Sequence, residues 1–303
     1  MPLVYSARYH LDLRGHVWPT EKYHLTCAAL VDRHLISPAD VVEPVEASWD
    51  QLGLVHASEY LQKVRTERLS SEEIARLELP LSPQVTEGFR LMTGGTIAAA
   101  RQAFDSTDGN GRVVVHLGGG FHHAFANHGE GFCLFNDVAV ATRVLQQEAG
   151  VRRATVIDLD VHHGNGTAMI FERDPTVFTF SMHQQHNYPV FKPKSSLDIG
   201  LADGVGDDEY LRRLREALPT VLGHHPQVIF YLAGADPFYD DQLGGLRLTV
   251  DGLRQRDRLV FAAAREVRAP VVVVLAGGYA KRIEDTVDIH VATVEEALSA
   301  AGS

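Results

Sequence analysis

Cysteine is nearly missing from this chain: among 303 residues only Cys27 and Cys133 carry a thiol. Two cysteines build neither a disulfide framework nor a thiolate zinc site, and a reducing, cytoplasmic setting is the expectation. Basic residues are scarce too. Lys and Arg number 28 against 39 Asp and Glu, a formal net charge of −11. Nucleic-acid binders draw affinity from a basic face meeting phosphates, so that class of function is disfavoured. No apolar run approaches the ~20 residues that a helical membrane crossing needs, and the Met1-Pro2 start lacks the basic, apolar and small-residue series of a secretory signal. Also absent are a G-x-S-x-G elbow and a phosphate-binding GKS or GKT loop, which removes α/β serine hydrolases and P-loop NTPases. What the chain does carry is histidine. There are sixteen, with adjacent pairs at His122-His123, His162-His163 and His224-His225.

Five short β-branched runs read as strands: Val113 to Leu117, Thr155 to Leu159, Val177 to Ser181, Val228 to Ala233 and Val271 to Ala276. Runs apolar on both faces suit a parallel sheet covered on each side by helices. Helical spacing appears over Asp137 to Glu148, from Asp207 through Leu222 with Pro219 near its end, and from about Leu253 to Val267. The alternation predicts a single three-layer α/β/α domain over residues 1–303 with a central, mainly parallel sheet. The segment Asp105 to Arg112 reads as a polar turn, and the first 80 residues, broken by Pro19, Pro38, Pro44 and Pro80, as helices and loops around the sheet.

Ligands of parallel α/β sheets bind beyond the carboxyl ends of the strands. Here each run exits into polar residues: GGGFHH at 118–123, DLDVHHGNG at 158–166, SMH at 181–183, AGAD at 233–236 and AGGY at 276–279. Asp158, Asp160 and His162 follow the period of two that puts alternate side chains on one face. Asp160 and His162, with Asp236 from another strand end, offer three ligands to a divalent ion and leave one position for water. Imidazole and carboxylate without thiolate favour zinc over calcium or magnesium, with iron or cobalt still compatible with the ligand type. A bound zinc lowers its water's pKa to about 7 and polarises a carbonyl. His122 and His123 would then handle protons, with Asp158 and Asn165 available to fix their tautomers, and Tyr279 could donate to a developing oxyanion. That constellation describes a metal-dependent amide hydrolase. His163 reads equally as a supporting or a packing residue, His224-His225 as a favourable cation pair at a helix C-terminus, and Phe132 and Tyr188, on the residues alone, as core aromatics.

GGGFHHAFANHGEGFCLFND, VIDLDVHHGNGT, AGADPF and AGGYAKR resemble, in order and over essentially the whole chain, the motif series of the arginase-deacetylase fold, specifically the zinc-dependent histone deacetylase family. TGGT at 93–96, DDEYL at 207–211, LGGL at 243–246, RDRLVF at 256–261 and GGYAKR at 277–282 are similar to its class IV branch. The resemblance implies one zinc held by Asp160, His162 and Asp236, the paired histidines His122 and His123 with His123 as general base and acid, and Tyr279 as oxyanion stabiliser. It further implies a structural potassium ion on Asp158, Ser181 and Met182 with the carbonyls of Asp160 and His162. Gly131, Phe132 and Tyr188 look like walls of an acyl-lysine channel, and Leu243 like part of its rim. Three positions depart from the pattern. Asn165 stands where class I members have an aspartate, Ala276 where many have a further glycine, and Leu81 where a substrate-holding aspartate is found. The implied activity is removal of an acyl group from N-acylated lysine, with acetylpolyamines or other small N-acyl amines as alternative substrates. A non-catalytic acyl-ligand binder and a two-manganese arginase-like site are the rival readings.

Overall fold

The computed structural model describes residues 1, 3–105 and 112–302, so the polar turn expected over Asp105 to Arg112 lies, for its residues 106–111, outside the described part. All eight described strands join one sheet: β1 (Leu3–Val4), β2 (Val41–Val42), β3 (Val113–His116), β4 (Ala154–Asp158), β5 (Val177–Gln184), β6 (Leu197–Leu201), β7 (Val228–Leu232) and β8 (Val271–Val274). Their order is β2-β1-β3-β8-β7-β4-β5-β6, and every pairing is parallel. The expected sheet is thus present and fully parallel. The carboxyl ends of β3, β8, β7 and β4 lie side by side at its centre.

Why the central strands form is plain from their sequences. Every residue of β3, β4, β7 and β8 is buried, as a strand covered on both faces requires, and β-branched side chains fit that pleated setting. Ten α-helices accompany them among the described residues: α1 (Glu21–Asp32), α2 (Trp49–Leu52), α3 (Ser58–Arg65), α4 (Ser71–Leu77), α5 (Pro83–Phe104), α6 (Asp137–Glu148), α7 (Asn165–Phe171), α8 (Asp207–Leu222), α9 (Val250–Glu266) and α10 (Ile283–Ala301). Helices α1, α10, α9 and α8 pack successively along one face, while α5, α6 and α7 cover the other. Helix α5 starts cleanly, with Ser82 Oγ accepting from the Val85 amide and Pro83 at its first position. Its TGGT segment lets it lie close to the sheet, since a Cβ on Gly95 would stand 2.3 Å from both His116 Nε2 and Tyr9 Oη.

Three strands fall outside the sequence expectation. Strands β1 and β2 lie within the first 80 residues, where helices and loops were expected. Two residues each are too short to show a period. The third, β6, is a half-exposed edge strand with Asp198 and Gly200 in its middle, a composition that hides it. His224 and His225 fall past the end of α8 instead of in its last turn. His224 Nε2 faces the Thr176 carbonyl at 3.4 Å, and His225 turns through the left-handed region at φ 52°.

One buried pair braces the strand ends. Arg256 on α9, fully enclosed, donates through Nε to Asp257 Oδ1 at 2.9 Å and through Nη1 to the Gly234 carbonyl at 2.6 Å, just before Asp236. Asp257 also accepts from Tyr231 Oη and Thr293 Oγ1. Breaking such a pair leaves an uncompensated buried charge. Arg256→Leu is expected to cost about 3–5 kcal/mol, read from the shift of the urea midpoint at unchanged m-value; a loss below about 1 kcal/mol would show that the pair is dispensable.

Candidate active site

Beyond the carboxyl ends of β3, β4, β7 and β8 opens a cavity of ≈ 180 Å³ lined by His122, His123, Asp160, His162 and Tyr279, with Gly131, Phe132, Tyr188 and Leu243 also on its walls. The cavity therefore brings five of the residues singled out at the strand ends together with those expected along a channel, whereas Asp158, Asn165 and Asp236 stand behind its lining. Ligand atoms of Asp160, His162 and Asp236 lie within 4.8 Å of one another, and all three residues are buried. His162 Nδ1 is 3.1 Å from Asp160 Oδ1 and 3.5 Å from Asp236 Oδ2. The other carboxylate oxygens are fixed by backbone amides: Val161 donates to Asp236 Oδ1 at 2.9 Å and Gly277 to Asp160 Oδ2 at 2.8 Å. Asp236 Oδ2 is buried with no hydrogen bond. An anionic oxygen left that way is costly unless a cation completes it, so the donor set suits one divalent ion.

The electrostatics point the same way. Burial works against charge on every group here, yet the carboxylates draw protons in: Asp158 and Asp160 hold His122 up at about 9, and Asp160 and Asp236 hold His162 at about 10. Burial and the neighbouring charge of Asp160 lift Asp236 to about 7. A site that collects protons so readily is one built for positive charge.

The histidine pair has defined tautomers. His122 Nδ1 donates to Asp158 Oδ2 at 2.7 Å, and His123 Nδ1 donates to Asn165 Oδ1 at 2.7 Å. The two Nε2 atoms face each other at 3.2 Å. Burial, followed by the positive charge of His122 and His162, lowers His123 well below the usual imidazole value. Tyr279 moves the other way: burial and then the charges of Asp160 and Asp236 raise its phenol far above 10, so it keeps its hydrogen.

On the far side of Asp158, its register partner across β4 and β5 is Ser181, and both residues are buried beside Met182. His163 and His183 lie together outside the lining of the cavity, His163 pairing with Asp198 at 3.2 Å. Leu81 is half-buried against the core. Ala276 sits at φ 50°. Glycine is the unstrained residue there, so its departure from the family pattern carries a backbone cost of roughly 1–2 kcal/mol.

Four supporting residues went unnoticed in the sequence. Asp137, at the start of α6, accepts from the amides of Gly120 and Phe121 and from Thr96 Oγ1, fixing the GGGF turn. Glu130 accepts from Asn165 Nδ2 at 2.7 Å, placing a carboxylate one residue behind His123. Asp241 accepts from the Tyr279 amide through Oδ2 and from the Leu243 and Gly244 amides through Oδ1. Lys22 on α1, lowered by burial to about 8 although Asp236, Asp160 and Asp241 oppose it, donates to the Ala276 carbonyl at 2.9 Å and lies 5.5 Å from the centre of the Tyr279 ring. Only Asp137 had a sequence signal, the Asn-Asp step at a helix start.

The histone deacetylase domain matches residues 16–294. An uncharacterised protein of Picosynechococcus sp. is 40% identical over 291 residues, 95% of each chain. Histone deacetylase 2 of Arabidopsis thaliana is 32% identical over 92% of this chain and 74% of its own. The crystal structure of the HDA15 HD domain superposes with a TM-score of 0.80 at 23% identity, covering 100% of this chain and 92% of that one, a likeness of fold.

Gly277 allows a direct test of the carboxylate cluster. A Cβ there would stand 1.9 Å from Asp236 Oδ2 and 2.6 Å from Asp160 Oδ2. Gly277→Ala is expected to weaken binding of a divalent ion at these carboxylates by about 10–100-fold, the range for a disturbed ligand support. Competition with a chelating dye measures it, and unchanged affinity would detach the cluster from metal binding.

Proposed function

The chain belongs to the histone deacetylase family, and on that premise we propose that it is a zinc-dependent amidohydrolase, nearest the class IV branch, that removes an acyl group from N-acylated lysine. The observation that carries this reading is the convergence, on one cavity, of Asp160 and His162, a tautomer-fixed histidine pair and a phenol, with the orphaned carboxylate oxygen of Asp236 held directly behind the two ligands. Asp160, His162 and Asp236 would hold the zinc, which supplies a Lewis acid for the substrate carbonyl and an acidified water. Asp158, Ser181 and Met182, with the carbonyls of Asp160 and His162, would hold a potassium ion that steadies the same loop.

The protein's own groups divide the remaining work. With Nδ1–H committed to Asn165, His123 presents its Nε2 lone pair, and burial keeps it unprotonated at neutral pH. It takes the proton of the attacking water and returns it to the departing amine. His122, tied to Asp158 and protonated, keeps a positive charge beside that lone pair and lowers its basicity. Tyr279 donates its hydroxyl hydrogen to the carbonyl oxygen as negative charge grows there. Gly131, Phe132 and Tyr188 would enclose the acyl-lysine stem, with Leu243 at the rim. Leu81 brings no carboxylate to grip a peptide backbone, so small acylated amines are the alternative substrate.

In the folded, zinc-loaded protein, His123→Ala and Tyr279→Phe are each expected to lower kcat by about 10²–10⁴ with little change in KM. Hydrolysis is followed on an acetyl-lysine peptide, a long-chain acyl-lysine peptide and an acetylpolyamine. Near-wild-type turnover in either variant removes that residue's role. Failure of the wild-type protein on all three substrates leaves the non-catalytic binder standing.

The pH profile tests the base separately. A base acts unprotonated, so activity limited by His123 is lost only as pH falls through its depressed pKa. Asn165→Asp places a negative charge on Nδ1–H, raises that pKa and is expected to move the acid limb of kcat to higher pH. An unmoved limb would assign it to another group.

A further inference from the structure

Three ligating side chains from three segments meet behind the active-site loop, outside the lining of its cavity. His163 follows His162 on the loop after β4, and adjacent residues of an extended segment point to opposite sides. His183 comes from β5 and Asp198 from the edge strand β6. His163 Nε2 is 3.2 Å from Asp198 Oδ1, the two imidazole rings stand edge to face with centres 4.6 Å apart, and one ligand atom of each residue lies within 4.8 Å of the other two. Donors on one tetrahedral zinc stand roughly 3.3 Å apart with bonds of about 2.0–2.1 Å, so side-chain movements of roughly 1 Å would close the set around an ion.

The orientation of two of the groups supports this reading. His183 Nδ1 is occupied by Ser181 Oγ at 3.0 Å, which leaves Nε2 as its ligand atom. Asp198 Oδ2 accepts from the Ser195 amide at 2.9 Å, which leaves Oδ1 turned to His163. Partners that occupy the far atom of a ligand, as on His183 and Asp198, are characteristic of metal centres. His163 Nε2 has only Asp198 Oδ1 at 3.2 Å and a long contact with Ser195 Oγ at 3.5 Å, and its Nδ1 is buried without a partner, so protein hydrogen bonds leave the group incomplete. Both histidines are buried, whereas the Asp198 side chain is 31% exposed, giving an ion a way in and a water a place in the fourth position.

We propose that His163, His183 and Asp198 form a second divalent-metal site for zinc or a similar borderline ion, separate from the one at Asp160, His162 and Asp236. Two imidazoles and one carboxylate without thiolate select that class of ion. Bound there, it ties the segment after His162 to β5 and to the sheet edge at β6. The proposal does not depend on the reaction assigned above, since its readout is metal content and stability.

The test loads metal-free full-length protein with zinc, removes free metal by gel filtration and counts bound zinc by mass spectrometry. Wild-type protein is expected to retain two equivalents, and Asp236→Ala, Asp198→Asn and His183→Gln one each. The second equivalent should raise the melting temperature of wild-type protein and leave that of Asp198→Asn unchanged. Asp198→Asn, on an exposed edge, should fold even if His183→Gln does not, and should keep its hydrolytic activity. Retention of a single equivalent by wild-type protein, or of two by Asp198→Asn, overturns the site.

Discussion

Three buried carboxylates, Asp158, Asp160 and Asp236, crowd the carboxyl edge of the central strands, and their mutual repulsion is the constraint around which the rest is arranged. Such a group is intolerable in a low-dielectric interior unless positive charge is brought to it. The fold answers from every side. Protonated His122 sits on Asp158, backbone amides of Val161 and Gly277 take two of the oxygens, and Lys22 reaches in from a helix more than two hundred residues away in sequence from the carbonyl it contacts. One oxygen is left over, and it is the one that a metal would take.

A parallel sheet is what makes this crowding achievable. Because all strands run the same way, their carboxyl ends, and so the turns that follow β3, β4, β7 and β8, open on one side of the molecule. The histidine pair comes from the first turn, the ligands from the second and third, the phenol from the fourth. The scaffold beneath needs only apolar, β-branched residues, and the buried ladders of valine and isoleucine supply a floor that does not shift under the charges.

Much of this was legible before the structure. The five central strands announce themselves because burial on both faces demands uninterrupted apolar residues, and the polar turns stand out against that background. Asp160, His122, His123, His162, Asp236 and Tyr279 belong to such turns and Asp158 ends the strand that leads into one, which is why they could be named. Strands β1 and β2, two residues each, and the edge strand β6 could not be, since short or half-solvated strands need no such pattern. Glu130, Asp241 and Lys22 were hidden for another reason. Each stands in an ordinary surface-like context, and what ties it to the site is a contact 35 or more residues away along the chain: Glu130 with Asn165 at 35, Asp241 with Tyr279 at 38 and Lys22 with Ala276 at 254. The meeting of His163 with Asp198 is of the same kind.

Asp241 links two parts of the molecule that are usually thought of as separable. One of its oxygens holds the amide of Tyr279, and the other holds the amides of Leu243 and Gly244 at the mouth of the cavity. A rigid planar carboxylate with one amide on one oxygen and two on the other behaves as a lever. A displacement of the Leu243-Gly244 segment is therefore passed to the backbone that aims the phenol, and under the function proposed above, selectivity and turnover would be tied to one hinge.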